Sequence, residues 1–413
     1  MVKLVHQVRV CRKLHKTKKG IHLRNKNSES QKFITLETIS ARILLCATIL
    51  ALCLSNTPLH IYYENFFHTY SFWQFGSLHF KTNLLFLIND GLMTIFFLVV
   101  GLEIKYEILN GNLNTLRKAT LPGIAAVGGM MVPALIYAGL NYHNPAMLRG
   151  WGVPTATDIA FSLSVVSLLG NKVPPALKTF LIALAILDDI AAIIIIALFY
   201  TDHFSLVFFS ASFICLAILF LLNRFGITKL SAYIFIGFAL WICLLKSGIH
   251  PTLTGVMMAM MIPLQNQKTS QSPLKKLKHT LHPWVALVIL PLFAFANAGI
   301  SLITMHKENL HITIIFGVLF GLFFGKQMGI FGASFLAVKL KLASLPDHIK
   351  WSELYAIAII CGIGFTISLF IGTLAFTTES YLNSIKLGVL GGSFLSGCAG
   401  FYLLSRSHPS RKK

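Results

Sequence analysis

Two adjacent aspartates, Asp188 and Asp189, interrupt an apolar run that begins at Leu181, ends at Ile196 and contains no other ionisable residue. A carboxylate at the centre of a bilayer costs about 2.5–3.5 kcal/mol on insertion scales, so such residues generally face a cavity and handle ions or protons. Adjacent carboxylates can bind a small cation when ionised and carry protons when neutral. The pair therefore predicts a charge site inside a membrane helix.

A polar stretch interrupts a second apolar segment at Asp158. It has the sequence Pro-Thr-Ala-Thr-Asp over residues 154–158, and a matching interruption with two glycines and two hydroxyls extends from Cys361 to Ser368. Breaks in membrane helices are tolerated where the freed backbone groups line a cavity or contact protein, and transporters hold ions with the resulting half-helix ends. The two interruptions therefore predict two broken helices.

A lysine supplies positive charge to the same interior. Lys326 lies near the middle of a long apolar segment, too far from either end for its side chain to reach the membrane surface easily. We therefore expect it to pair with a buried carboxylate.

Asp90, which follows Asn89 near the outer end of its predicted helix, has two open interpretations, a structural role and a place on an ion pathway. Asn297 has a similar open choice, because it can simply cap a helix break.

The composition excludes a water-soluble globular protein. Of the 413 residues, 55% are hydrophobic and only 12% are charged, and the mean hydropathy is +0.72. Windows of about 20 apolar residues predict twelve membrane spans. These are residues 39–54, 84–102, 121–140, 154–169, 177–200, 205–222, 232–245, 250–262, 284–303, 312–338, 354–376 and 387–404. The predicted fold is an all-α polytopic membrane protein.

The lysines and arginines predict the orientation, because cytoplasmic loops near span ends carry the excess of positive charge. They concentrate in the connections that follow even-numbered spans and in the N-terminal segment, so both termini are predicted to be cytoplasmic. We predict a basic, disordered extension over residues 1–32, a twelve-span domain over residues 33–406 and a basic tail over residues 407–413. The net charge of +21 is dispersed over these loops, which argues against a nucleic-acid partner and allows contact with anionic lipid headgroups.

A short segment between the first two spans predicts a small β-hairpin. It begins at Phe72, ends at Phe80 and places Gly76 and Ser77 between two aromatic runs. An interfacial loop of no further importance and a contact between two protomers are both open interpretations of this segment.

Six motifs closely resemble those of the bacterial NhaA sodium/proton antiporters. They are ATDIAF at 156–161, ALAILDDI at 183–190, LKSGIH at 245–250, LHPW at 281–284, LFAFANAG at 292–299 and CGIGFT at 361–366. The resemblance extends over about residues 33–406. It implies inverted repeats with two broken, crossing helices, a place in the bacterial inner membrane, and a transporter rather than an enzyme, without a cofactor.

The resemblance also implies roles for single residues. Asp189 becomes the principal ligand of the transported Na⁺, and Asp188 a second ligand that exchanges protons and pairs with Lys326. Asp158, with Thr157 beside it, then offsets the positive half-helix ends, and Lys326 offsets the negative ones. The implied activity is electrogenic exchange of cytoplasmic Na⁺ or Li⁺ for two external H⁺. The resemblance also implies a homodimer joined through the hairpin, in which each monomer carries out transport separately.

A response to pH is expected at the cytoplasmic surface. The residues that the resemblance suggests for it are His250, His282, Glu103, Glu107 and Lys278. Two departures from the family pattern affect this expectation, because Gln265-Asn-Gln267 and Lys278 stand where acids are usual. A third departure is Gln327, which follows Lys326 where a proline is common. For the two histidines, packing or helix capping is an alternative to a sensing role.

Two rival functions have to be considered. An intramembrane aspartyl protease would let Asp158 and one of the paired aspartates share a proton and activate water. Lys326 argues against this interpretation, because a cation beside the two carboxylates keeps both ionised, and the Gly-x-Gly-Asp motif of such enzymes is missing from the sequence. A sodium-coupled solute symporter of the same general fold would instead need a roomy cavity for an organic substrate.

Overall fold

Helices make up nearly all of the computed structural model. It describes residues 36–75, 78–111, 113–170, 173–201, 205–264, 272–301, 310–346 and 349–407. The predicted extension over residues 1–32, most of the predicted tail, and Gln265, Asn266 and Gln267 lie outside these ranges.

The helices follow the apolar runs of the sequence. In the first half of the chain they are α1 (Leu36–Ser55), α2 (His60–His68), α3 (Leu84–Asn110), α4 (Leu116–Asn141), α5 (Pro145–Leu148), α6 (Ile159–Leu168) and α7 (Pro175–Phe199). In the second half they are α8 (Leu206–Arg224), α9 (Leu230–Ser247), α10 (Leu253–Met261), α11 (Pro273–Asn297), α12 (Ile312–Lys339), α13 (Trp351–Ile360), α14 (Phe365–Ala375) and α15 (Glu379–Ser407).

Nine helices in the described part of the chain are long and apolar enough to cross a membrane. The pair α13 and α14 is bent by 44° and makes a tenth if it is counted as one span. The chain is therefore a polytopic membrane protein. Two of the predicted spans, 154–169 and 250–262, contain only the short helices α6 and α10, so the count of twelve remains a prediction.

Two antiparallel strands precede α3. Strand β1 (Tyr70–Phe75) pairs with β2 (Leu78–Asn83), and Trp73 lies opposite Phe80 in the register. They occupy the segment for which the sequence predicts a hairpin, whereas its turn, residues 76 and 77, lies outside the described ranges. At the end of β2 the side chain of Asn83 accepts a hydrogen bond from the Phe86 N–H at 2.7 Å and caps α3.

Helix α3 is longer than the sequence analysis predicted. It extends to Asn110 instead of ending at Leu102, so Glu103 and Glu107 lie on the helix rather than after it. The apolar window ends at Glu103 because charged residues follow, but Glu, Ile, Lys and Leu are all compatible with a continuing helix. Hydropathy therefore marked the end of the apolar segment and not the end of the helix.

Within the described ranges, three helices contain a π-helical turn. These turns are Leu87–Leu92 in α3, Val285–Ile289 in α11 and Gly321–Gly325 in α12. Such turns often occur at functional sites because they re-aim the side chains around them. The first contains Asn89 and Asp90, and the third ends immediately before Lys326.

Glycines let α4 and α12 pack at close range. A Cβ atom placed on Gly329 would overlap the Gly128 carbonyl, and one on Gly129 would meet the side chain of Ile330 at 2.6 Å. Small residues at such a crossing bring two membrane helices together through van der Waals contact. This contact fixes the depth at which Lys326 lies in the interior, because Lys326 is one turn from Gly329 on α12.

We expect Gly329→Ala to lower the melting temperature of the purified protein in detergent, because overpacking typically costs about 1–3 kcal/mol. Gly332→Ala is the matched control on the same helix, since a Cβ there meets no heavy atom within 4 Å. Equal melting temperatures for the two variants would show that the α4–α12 contact tolerates an added methyl group.

Candidate ion-binding site

The two broken segments meet in the interior of the helix bundle. A 3₁₀ helix, Arg149–Thr155, leads into an extended stretch that ends at Asp158, the N-cap of α6. The Asp158 N–H donates a hydrogen bond of 2.7 Å to the carbonyl of Ile363, which lies in the break between α13 and α14. The main chains of the two breaks therefore touch directly at this point.

The Asp158 carboxylate caps two helices at once. Its Oδ1 accepts from the Phe161 N–H at 3.0 Å in the first turn of α6. Its Oδ2 accepts from the N–H of Thr366 at 3.1 Å and from the Thr366 hydroxyl at 2.5 Å, in the first turn of α14. Helix N-termini carry partial positive charge. One buried carboxylate thus balances both of the N-terminal ends that the breaks create.

Hydroxyl side chains satisfy the carbonyls that the breaks leave free. The single hydrogen of the Thr157 hydroxyl is shared between the Cys361 carbonyl at the end of α13, 2.9 Å away, and Asp188 Oδ2, 2.7 Å away. The Ser368 hydroxyl donates to the Val153 carbonyl at 2.7 Å, across to the other broken segment. Freed backbone groups at membrane depth are costly unless they are paired. These contacts make the irregular backbone tolerable in an apolar interior.

Asp188 and Lys326 form a buried ion pair. The Lys326 Nζ lies 2.6 Å from Asp188 Oδ2, and the side chains are 0% and 1% exposed. The Thr157 hydroxyl lies 2.7 Å from the same carboxylate oxygen. The second oxygen, Oδ1, is buried and has no hydrogen-bond partner among the described residues. The pair neutralises two charges that the interior cannot solvate.

Asp189 faces a different neighbourhood from that of Asp188. Adjacent residues on a helix point about 100° apart, and Asp189 lines a cavity of about 260 Å³ together with Asp158 and Thr366. Within the described ranges, no hydrogen bond reaches its carboxylate. Its oxygens are therefore available to a cation that enters the cavity. Asp189 is the candidate ligand for a transported ion.

The cavity also gathers charged residues at its more exposed end. We call Glu103, Glu107, Lys278 and His282 the mouth residues, since all four line the cavity and are only partly buried. The Lys278 Nζ lies 2.9 Å from Glu103 Oε1. The sequence predicts a pH response from these four residues, and in the structure all four line the cavity that contains Asp189.

Glu37 is a lining residue that the sequence analysis missed. Its Oε1 lies 3.1 Å from the His282 Nε2, and the Glu37 side chain is buried. It was overlooked because the first apolar window begins at Ile39, whereas α1 already begins at Leu36. The available signal was the acid itself. A carboxylate in the first turn of a helix is stabilised by the partial positive charge of the helix N-terminus, so Glu37 marks a helix that begins before Ile39.

His250 lies apart from the mouth residues. Its Nε2 is 3.1 Å from Asp90 Oδ1, its Nδ1 is 2.7 Å from the Thr252 hydroxyl, and its ring contacts Phe370 with centroids 5.5 Å apart. Neither His250 nor Asp90 lines the cavity. The structure therefore separates His250 from the other residues predicted for the pH response and joins it to the predicted pathway residue Asp90.

Two amides near Asp90 bind each other. Asn89 Nδ2 donates to Asn297 Oδ1 at 3.2 Å, and Asn297 Nδ2 donates to Asn89 Oδ1 at 2.8 Å. The same Asn297 Nδ2 also lies 2.9 Å from the Phe293 carbonyl. The pair links the π-helical turn of α3 to the end of α11. Asn297 thus makes both the side-chain contact and a bond within its own helix.

Gln327 connects the lysine-bearing helix to a broken segment. Its Oε1 accepts from the Tyr355 hydroxyl at 2.9 Å, which joins α12 to α13. Its Nε2 is buried and has no hydrogen-bond partner in the described part of the chain. A proline at this position would have no side-chain amide and could not accept this bond.

Together these features define a class of protein. A multi-pass helical chain with a buried ion pair beside two interrupted segments, and a carboxylate left open to a cavity, has the site of an ion transporter. The family model described as Na⁺/H⁺ antiporter 1 matches residues 31–404. The chain belongs to this family of transporters, and the resemblance found in the sequence is confirmed.

Individual relatives cover nearly the whole chain. The Na(+)/H(+) antiporter NhaA 1 of Syntrophotalea carbinolica is 52% identical over 377 residues, which are 91% of this chain and 95% of the relative. The Na(+)/H(+) antiporter NhaA of Pseudomonas putida is 49% identical over 372 residues, or 90% and 95% of the two chains. That of Nitratiruptor sp. is 50% identical over 368 residues, or 88% and 95%.

We expect Lys326→Met to lower the melting temperature, because removing one partner of a buried ion pair leaves the other charge uncompensated and typically costs about 3–5 kcal/mol. Thermal unfolding of the purified protein measures the change. The double variant Lys326→Met with Asp188→Asn should recover part of the loss, since neither position of the pair then carries an uncompensated charge. A melting temperature for Lys326→Met equal to that of the wild type would contradict a stabilising role for the pair.

Proposed function

We propose that this chain exchanges Na⁺ for H⁺ across the membrane. The observation that carries the proposal is the different environment of the two adjacent aspartates: Asp188 is paired with Lys326, while Asp189 is open to the cavity. The relatives are named as Na⁺/H⁺ antiporters, which agrees with this chemistry. In this function Asp189 is the principal Na⁺ ligand, and Asp188 contributes after it separates from Lys326.

Competition between the two cations explains the exchange. Without Na⁺, Asp189 is protonated and Lys326 neutralises Asp188, so the site has no net negative charge to attract Na⁺. When Na⁺ binds, the protons must leave, because a doubly loaded site would place uncompensated positive charge in an apolar interior. Lys326 compensates Asp188 in the absence of Na⁺. Each cation therefore excludes the other from one site.

Alternating access converts this competition into transport. The cavity reaches Asp189 from the end where the mouth residues lie, and the positive-inside rule assigns that end to the cytoplasm. A cytoplasmic Na⁺ binds there, and the helix bundle rearranges around the point where the two interrupted segments meet. Na⁺ then leaves on the other side in exchange for protons. The meeting point of the two interrupted segments suits this movement because the single residue Asp158 caps the N-terminal ends of both α6 and α14.

The finer features of the proposal come from the family resemblance. They are twelve spans arranged as inverted repeats, an inner-membrane location with both termini in the cytoplasm, transport of Li⁺ as well as Na⁺, two H⁺ per Na⁺, and regulation by pH. In the proposed homodimer, strands β1 and β2 join two protomers by pairing at their free edges. The transported ions are the substrates, and we propose no resident cofactor.

The geometry disfavours the two rival functions. Asp158 is bonded to Phe161 and Thr366, and Asp188 to Thr157 and Lys326, so these carboxylates do not form a proton-sharing pair of the protease kind. The cavity of about 260 Å³ is smaller than the roughly 300–1,000 Å³ of typical pockets for organic ligands. A small cation suits it better than an organic solute.

We expect Asp189→Asn to abolish exchange while the protein remains folded, because the amide keeps the volume of the side chain and removes its charge. The measurement is the dissipation of a preset pH gradient in everted vesicles on addition of Na⁺ or Li⁺, without any organic solute. Wild-type vesicles are the positive control, and the melting temperature reports the fold. Exchange at a near-normal rate in Asp189→Asn would refute the assignment of this residue.

We expect acid inhibition to be overcome by sodium. If protons and Na⁺ compete at Asp188 and Asp189, lowering the pH weakens the apparent Na⁺ affinity steeply and changes the maximal rate less. Exchange measured against Na⁺ concentration at several pH values tests this. An unchanged apparent affinity with a collapsing maximal rate at acid pH would indicate a separate sensor in place of direct competition.

A further inference from the structure

Lys278 places a positive charge directly on the proposed route of Na⁺. Its side chain is 19% exposed, that of Glu103 is 23% exposed, and both residues line the cavity that contains Asp189. A cation that enters from the more exposed end therefore meets the ion pair of these two residues before it reaches the more deeply buried Asp189. The carboxylate it meets is already occupied by an ammonium group.

The ammonium group and Na⁺ bind the same kind of partner. The Lys278 Nζ lies 2.9 Å from Glu103 Oε1, a normal charge-assisted contact. Both cations are strongly hydrated and both are attracted to carboxylate oxygens. Because the lysine is part of the chain, its effective concentration near Glu103 is high and does not change with the salt in solution. A free cation must compete with it.

The ring of Tyr106 offers Lys278 a second favourable contact. The Lys278 Nζ is 5.6 Å from the centroid of this ring, and the Lys275 Nζ is 5.2 Å from it. Aromatic faces attract ammonium groups at such distances. Lys278 can therefore leave Glu103 without losing all of its favourable contacts. Lys275 shares the ring but does not line the cavity.

We propose that Lys278 is a tethered competitor of Na⁺ for Glu103 and thereby sets the apparent Na⁺ affinity of the cavity. This inference rests on the proposed exchange function and concerns the approach of the ion, not its binding at Asp189. Lys278 is a tuning residue: it keeps Glu103 neutralised at low Na⁺ concentration and yields it as the concentration rises. The ligand in question is a small alkali cation.

The test compares Na⁺ titrations of exchange in everted vesicles at one fixed pH. Lys278→Gln should tighten the apparent Na⁺ affinity about fivefold at low ionic strength, the order of magnitude for two unit charges about 4 Å apart in water. Added choline chloride should shrink the difference, because salt screens the interaction. Lys278→Arg should behave like the wild type, because it keeps the positive charge. Lys276→Gln is the matched control and should leave the affinity unchanged, because Lys276 is exposed and does not line the cavity.

The Glu103→Gln background shows whether the lysine acts through its partner. If it does, Lys278→Gln has a much smaller effect on the apparent Na⁺ affinity in Glu103→Gln than in the wild type. An equal effect in both backgrounds, or no effect of Lys278→Gln in an otherwise active protein, would overturn the inference. Exchange by the wild type is measured in the same experiment. Absence of exchange in the wild type would contradict the proposed function, whereas exchange without an effect of Lys278→Gln would contradict only this inference.

Discussion

The cost of charge in an apolar interior is the constraint on which the rest of this structure depends. Asp188 and Lys326 are almost completely buried and lie 2.6 Å apart. Neither ion alone is tolerable there, because desolvation costs several kcal/mol per charge, and each compensates the other. In the proposed exchange, a Na⁺ ion takes the place of Lys326 as the partner of Asp188. The cost of uncompensated charge thus stabilises the ion pair in the empty site. In the proposed exchange, the same cost prevents Na⁺ and protons from occupying the site together.

The breaks in the helices follow the same rule. Each break frees backbone groups that have no water to bind, and polar side chains at the crossing supply their partners. Asp158 serves the N-terminal ends of α6 and α14, while the Thr157 hydroxyl approaches the carbonyl at the end of α13. Close packing of α4 against α12 at Gly128 and Gly329 then sets the depth of Lys326. The polar contacts at the two breaks and the packing of α4 against α12 together position the buried charges of the site.

Sequence reasoning worked best where a polar residue stood in an apolar background. The paired aspartates, the interruption at Asp158 and the lone Lys326 were visible for that reason. It worked less well at the helix ends, where charges are ordinary. There it missed Glu37 and ended α3 too early, since hydropathy loses contrast beyond the membrane. It also could not pair Glu103 with Lys278 or Asp90 with His250, because these contacts join distant parts of the chain.

The most direct test of the central claim is the release of protons when Na⁺ binds to the purified protein in detergent. Calorimetric titration with Na⁺ in two buffers of different ionisation enthalpy counts the protons released, without any transport step. If Na⁺ and protons exclude each other at the aspartates, binding releases protons at a pH where the empty site is protonated, and Asp189→Asn abolishes the signal. Na⁺ binding with no release of protons at any pH between about 6 and 8.5 would contradict the account.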